Sequence, residues 1–295
     1  MNVELRSRLA YHAYRGVGWL GRTLPERRGR AVFALLASMG YRFASGARAT
    51  VTANQAQVLG LPPEDPRVEA SAREAFRLYA RYWQDTFLGT RWTDEEVLER
   101  VECVGYEHPQ AALELGNGVI AALPHMGNWD LAGRLMAALH TPVVSVAEEL
   151  EPPELFDFFV DVRRQLRMEI LGHSSNGQVG RQLASALSRN RFVALVADRD
   201  LNGRGIEVEM FGRTRRMPAG PAMLSISSGA PLIPSPVYTT ERGCRVQFHE
   251  PLVLESSGNR KRDVVTLTRM LAASFERAIA AAPADWHMFQ PGWES

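Results

Sequence analysis

The sequence predicts an α/β fold: a single domain with a central, mostly parallel sheet flanked by helices. Three observations carry this. From residue 118 onward, short apolar runs alternate with helical stretches, the pattern of strands covered on both faces. The chain has 295 residues, 45% hydrophobic and 23% charged, the composition of a soluble globular protein. A chain this long removes about 75% of its unfolded surface from water and needs no disulfide or metal staple. That composition excludes a disordered chain, a collagen and a multi-span membrane protein. The two cysteines, Cys103 and Cys244, are expected as buried free thiols. The N-terminus lacks the ordered charged, apolar and small-residue regions of a secretory signal, so a cytoplasmic location is expected.

The first 60 residues read as a helical region, 1–60, ahead of an α/β core over 61–295. Leu5, Leu9, Tyr14, Val17 and Leu20 recur at near-helical spacing with arginines between them. The run 31–41 (AVFALLASMGY) is apolar, but eleven residues are about half of what a bilayer-spanning helix needs. Residues 1–50 carry nine arginines against Glu4 and Glu26, although the whole chain is only +1, so the rest is acidic. Two readings stand here. The helices cover the core with solvated arginines, or they lie at an interface with arginines on anionic headgroups.

Pro62, Pro63 and Pro66 interrupt this pattern, and a long helix is predicted over 67–88. Its stripe of Phe76, Leu78, Tyr79, Tyr82, Trp83 and Phe87 is expected in the core. Strands are predicted at 119–123, 143–147, 192–197 and 232–238, with a weaker one at 245–249. Helices are predicted near 128–140, 153–168, 176–189 and 218–229, and a last one at 261–282 ends before Pro283.

Three of the strands run into polar residues: His125-Met-Gly-Asn-Trp-Asp130, Glu148-Glu149 and Asp198-Arg-Asp200. Ligands of open α/β sheets bind beyond the carboxyl ends of strands, so these ends are where a site is expected. His125 and Asp130 are the sharpest pair. In one regular helix they would lie about 140° apart. With His125 in a loop, Asn128 as N-cap and Asp130 in the first helical turn, the imidazole can fold back onto the carboxylate. A histidine so oriented suits a general base for a hydroxyl. No G-x-S-x-G elbow or phosphate loop is present. Gly116–Ala121 mimics a dinucleotide loop but precedes a strand instead of following one. The seven histidines and two cysteines show no metal-ligand spacing, so no metal is expected.

The block ALPHMGNWDLAG resembles the first motif of the glycerophospholipid and lipid A acyltransferase (H-x4-D) superfamily. VALVADRD and VEMFGRTRRMPAGPAMLSISSGAPLIPSPVY then resemble the successive blocks of its lipid A late acyltransferase branch. PADWHMFQPGW resembles that branch's closing motif. The similarity spans about residues 115–295. Its closing block, WHMFQPGW, and the arginine-rich composition make it most similar to the enzymes that acylate phosphatidylinositol mannosides. Gln290-Pro291-Gly292 stands where lipid A enzymes have a basic residue, which counts against a lipid A acceptor.

The resemblance implies the H-x4-D acyltransferase fold, with N-terminal helices that contact the membrane. It implies transfer of an acyl chain from acyl-CoA, as donor substrate with no further cofactor, to a glycolipid hydroxyl. His125 would be the general base and Asp130 its orienter. Glu149, Arg164 (with Arg163 beside it), Arg199 and Asp200 would contact acceptor and thioester, and His287 and Trp286 in the closing block would line the site. The implied setting is peripheral, at the cytoplasmic face of a membrane with anionic lipid, as a monomer without nucleic acid. Other acceptors, an acyl carrier protein donor, and a hydrolase using water with the same pair are the alternatives.

Overall fold

The computed structural model describes residues 3–173, 178–200 and 203–293. Helices α1 (Val3–Thr23), α2 (Glu26–Phe43) and α3 (Ser45–Leu59) fill the N-terminal region that the helical periodicity marks. The third ends at Gly60 in the left-handed conformation, φ 64°. Asp65 then caps α4 (Pro66–Gly89) by accepting from the Arg67 N–H, and Pro66 occupies the first turn, where no N–H is needed. The first helix meets the fourth closely. A Cβ added at Gly21 would come within 2.9 Å of Phe87.

Helix α5 (Asp94–Arg100) starts on a Thr93–Glu96 capping box and runs into β1 (Val101–Val104) and α6 (Glu107–Glu114). The alternating part follows: β2 (Val119–Leu123), α7 (Trp129–Ala138), β3 (Val143–Glu148), α8 (Pro153–Gln165), β4 (Glu169–His173), α9 (Gln178–Ser188) and β5 (Phe192–Val196). A hairpin of β6 (Ile206–Met210) and β7 (Arg213–Met217) leads to α10 (Gly220–Ser228), β8 (Leu232–Pro234), β9 (Val237–Thr239), β10 (Cys244–Gln247) and α11 (Arg260–Ala281). A short 3-10 turn, Pro283–Asp285, precedes the closing residues.

The central sheet has five parallel strands in the order β4-β3-β5-β2-β8. A smaller sheet, β1-β10-β9, lies beside it. The apolar run 232–238 is thus not one strand. Pro234 and Pro236 interrupt its N–H ladder, so its first half pairs with β2 and its second half with β10. The stretches 101–104, 169–173 and 206–217 form strands that the sequence pattern did not mark.

Strand β2 is buried throughout and shows how the core divides. Ile120 and Ala122 face Leu187, Leu271 and Phe275 on one side. Val119, Ala121 and Leu123 face Phe87, Leu131 and Val162 on the other. Both cysteines are free, Cys244 buried and Cys103 half-buried. No described helix is long and apolar enough to cross a membrane.

Candidate active site

Strands β2 and β5 pair in parallel with Leu123 opposite Val196. Two residues farther along each strand stand His125 and Asp198, so the register makes them neighbours at the carboxyl edge of the sheet. Beyond Pro124 the chain turns tightly, and Gly127 adopts φ +58°. A Cβ there would stand 2.2 Å from the Val237 carbonyl oxygen, so the turn requires glycine. Asn128 caps α7 as expected, its Oδ1 accepting from the Leu131 N–H at 3.0 Å. Its Nδ2 donates to the Tyr82 carbonyl at 3.1 Å, which fixes the turn to α4.

The carboxylate that meets His125 is Asp198, not Asp130. The imidazole Nδ1 hydrogen-bonds Asp198 Oδ1, and the His125 backbone N–H donates to Oδ2 at 3.1 Å. A third donor, the Trp286 indole N–H, reaches Oδ2 at 2.8 Å. Burial alone would push the Asp198 carboxyl up. The charge of protonated His125 and its hydrogen bond, Arg215 and the Trp286 N–H outweigh burial, so Asp198 stays below the usual carboxylate range. With Nδ1 engaged by an ionised carboxylate, Nε2 is the nitrogen left to take a proton. The His125 side chain is 20% exposed and Asp198 is fully buried.

Asp130 turns the other way. It accepts from the Tyr82 hydroxyl at 2.6 Å and from Arg163 Nε at 2.8 Å. Burial would lower the Arg163 pKa, but the Asp130 charge, with Tyr82, holds it above the ordinary arginine range. This buried bracket ties the first turn of α7 to α4 and α8. Of the adjacent arginines, Arg163 therefore belongs to the site, whereas Arg164 is exposed and pairs with Asp161 at 2.6 Å.

The other expected residues are spread around the same edge. Glu149 is exposed just past β3, its carboxylate beside Gly172. Arg199 is half-buried, its guanidinium 3.8 Å from Glu148. Asp200 accepts from the Gly205 N–H at 2.6 Å, at the base of the β6–β7 hairpin. His287 is buried, and its Nε2–H donates to the Gly127 carbonyl at 3.1 Å. Burial lowers its pKa to about 3, opposed by that hydrogen bond and aided by the charge on His125.

The closing residues lie across the His125 turn. Gly127 N–H donates to the Asp285 carbonyl at 3.0 Å, and His287 N–H donates to the His125 carbonyl at 2.7 Å. From the far side, Asn54 Nδ2 donates to the carbonyls of Met288 and Gln290 at 2.9 and 2.8 Å, and its Oδ1 accepts from Gly292. The strap is thus held between the His125 turn and α3.

Part of the aromatic stripe of α4 faces this site instead of the general core. Tyr82 packs 4.3 Å from Trp129, whose ring stands edge-on to His125 at 5.4 Å. Trp129 also borders an apolar cavity of about 40 Å³ between α7 and the sheet, lined further by Met136, Met168, Phe192 and Phe248. Among the described residues no group of three His, Cys, Asp or Glu stands together as a metal site.

Asp198, Tyr82 and Trp129 were given no role in the site from the sequence, and Arg163 was named only beside Arg164. The signal for Asp198 was present, because it ends a strand that flanks β2.

The sequence profile described as bacterial lipid A biosynthesis acyltransferase matches residues 3–295. Phosphatidylinositol mannoside acyltransferase of Mycobacterium tuberculosis (strain CDC 1551 / Oshkosh) is 38% identical over 285 residues, which is 94% of this chain and 86% of that protein. The protein of the same name from Mycolicibacterium smegmatis (strain ATCC 700084 / mc(2)155) is 37% identical over 278 residues, 94% of this chain and 89% of that one.

Proposed function

The chain belongs to the bacterial lipid A biosynthesis acyltransferase family, and from that premise we propose a specific reaction. It moves a fatty acyl group from acyl-CoA to a hydroxyl of a membrane glycolipid, a mannose of a phosphatidylinositol mannoside. The observation that carries the reading is the imidazole of His125, backed by the buried Asp198 and open on its other nitrogen.

An unaided hydroxyl is a poor nucleophile. His125 Nε2 takes its proton as the oxygen attacks the thioester carbonyl, help of a kind worth about a hundred- to ten-thousand-fold. The carbon–oxygen bond forms, the carbon–sulfur bond breaks, and the proton leaves with the thiol. Asp198 steadies the imidazolium that exists in between. The oxyanion needs donors, and Gly127 N–H is already committed to Asp285. With the Leu131 N–H held by Asn128, the N–H groups of Trp129 and Asp130 and the positive end of α7 supply them instead. The cavity behind Trp129 receives the start of the acyl chain, which its apolar lining suits.

A membrane-borne acceptor requires contact with its bilayer, at the cytoplasmic face in this reading. Leu35, Leu36, Met39 and Phe43 are exposed along α2, with Phe43 at 72%. Arg27, Arg28 and Arg42 are exposed on the same helix. Other N-terminal arginines are occupied: Arg30 pairs with Glu26, and Arg48 donates to the Tyr41 carbonyl.

The test is mass spectrometry of products from purified protein with acyl-CoA and a panel of lipid acceptors. A new ester on a mannosylated phosphoinositide, with thiol released only when acceptor is present, is expected. Equal thiol release without acceptor, and no ester, would make the protein a thioester hydrolase.

A further inference from the structure

The geometry points to Trp286 as a positioning residue: its indole N–H fixes the orientation of the Asp198 carboxylate and moderates that carboxylate's hold on His125. The inference rests on the reading of His125 as general base. Trp286 is 1% exposed, so its action runs through the neighbours it packs against. An indole offers one donor and no acceptor, and here that donor ends on Asp198 Oδ2 at 2.8 Å. The other two donors on this carboxylate both come from His125. Trp286 is therefore a constraint on Asp198 from outside the pair it serves.

The ring is itself firmly placed. Trp286 bridges Met126 through the backbone, which ties it to the catalytic turn. The Arg215 guanidinium lies 5.5 Å from the Trp286 ring and 5.5 Å from the Trp293 ring. Arg215 Nη2 donates to the Asp198 carbonyl at 2.5 Å. One indole thus supports the side chain of Asp198 directly and its main chain through Arg215. Packing between Arg215 and Trp293 calls only for an aromatic ring. The carboxylate calls for a donor on it.

The charged groups around the pair are accounted for. Arg215 faces Asp198 from β7, and His287 faces His125 from the closing strap. Arg199 turns toward Glu148, Asp200 toward Gly205, and Asp130 toward Tyr82 and Arg163.

Removing the indole donor leaves more negative charge on Asp198 to stabilise the imidazolium. A base that is harder to deprotonate loses activity at a higher pH. For Trp286→Phe the acid limb of kcat/KM is expected to move up by about one pH unit. Loss of carboxylate orientation is expected to lower kcat about tenfold with KM within about twofold. The His125 Nδ1–H resonance should move downfield in the proton NMR spectrum. On an Asp198→Asn background, Trp286→Phe should add almost nothing, because its route of action is gone.

A purely structural tryptophan would lower the melting temperature and the folded fraction and leave both the acid limb and the resonance unmoved, which would overturn the inference. If Trp286→Phe does not fold, replacement of Trp286 by 3-benzothienylalanine, which keeps the ring shape and lacks the N–H, carries the same expectations. Wild-type protein that neither transfers acyl groups nor releases thiol would sink the proposed function alone. The NMR comparison would still decide the role of Trp286.

Discussion

In the proposed reaction His125 takes the hydroxyl proton, so on its replacement by alanine transfer is expected to fall about a hundredfold or more at an unchanged melting temperature. Turnover within tenfold of wild type would assign the base elsewhere. Asp198→Asn and Asp130→Asn should then differ in kind. The first leaves the imidazolium without a counter-charge and should cost activity on the scale of His125→Ala. The second leaves the Arg163 charge unpaired, which costs about 3 kcal/mol of stability and shows in urea unfolding. The reverse pattern would return the orienting role to Asp130. His287 gives a pH signature. Its folded pKa is about 3, against an ordinary value near 6.5, so below 6.5 the unfolded chain binds a proton that the folded one refuses. This contribution is complete above 6.5 and lost as the pH falls toward 3. Between pH 6.5 and 5, wild type should lose about 2 kcal/mol more than His287→Gln. Equal losses would rule out a buried neutral His287. The loop position of His125 and the capping role of Asn128 were readable from local spacing. The partner of His125 was not, because spacing favours the carboxylate five residues away over one 73 residues away across a strand pair.

At the scale of elements, the strap tests how far the site depends on helices outside the sheet. Asn54→Ala removes two donors from carbonyls of the strap and one acceptor from Gly292. A loss of about 2 kcal/mol in urea unfolding is expected, with a parallel fall in turnover. Full activity and stability would make the α3 contact incidental. The long periodic segments and the buried strands were legible because each carries one dominant pattern: β2 matches its predicted bounds, and β5 and α4 match within a residue. Strand β4 was not, since Glu169, Gly172 and His173 break its apolar run and β3 supplies its single paired edge. The β6–β7 hairpin was hidden by its arginines. Arg215 is buried against Trp286 and Trp293.

Across the whole molecule, the basic N-terminal region and the core share their packing. Phe33 and Val51 are buried, and Gln55 donates to the Pro283 carbonyl. Deleting residues 1–45 would strip apolar surface from α4, so point substitutions are the cleaner probe of membrane contact. Changing Leu35, Met39 and Phe43 to serine should weaken binding to vesicles of anionic lipid at both low and high salt. Changing Arg27, Arg28 and Arg42 to glutamine should weaken it by about 3 kcal/mol at low salt and much less at high salt. Vesicle co-sedimentation unaffected by either set would place the contact on another surface. The strap has a consequence for synthesis. His125 leaves the ribosome about 160 residues before the strap that braces it, a delay of about ten to thirty seconds at usual elongation rates. During that interval the nascent chain carries the His125 imidazole without Trp286 or His287 over its turn. On the proposed function, the fully braced centre that meets thioesters exists only once the strap has been made.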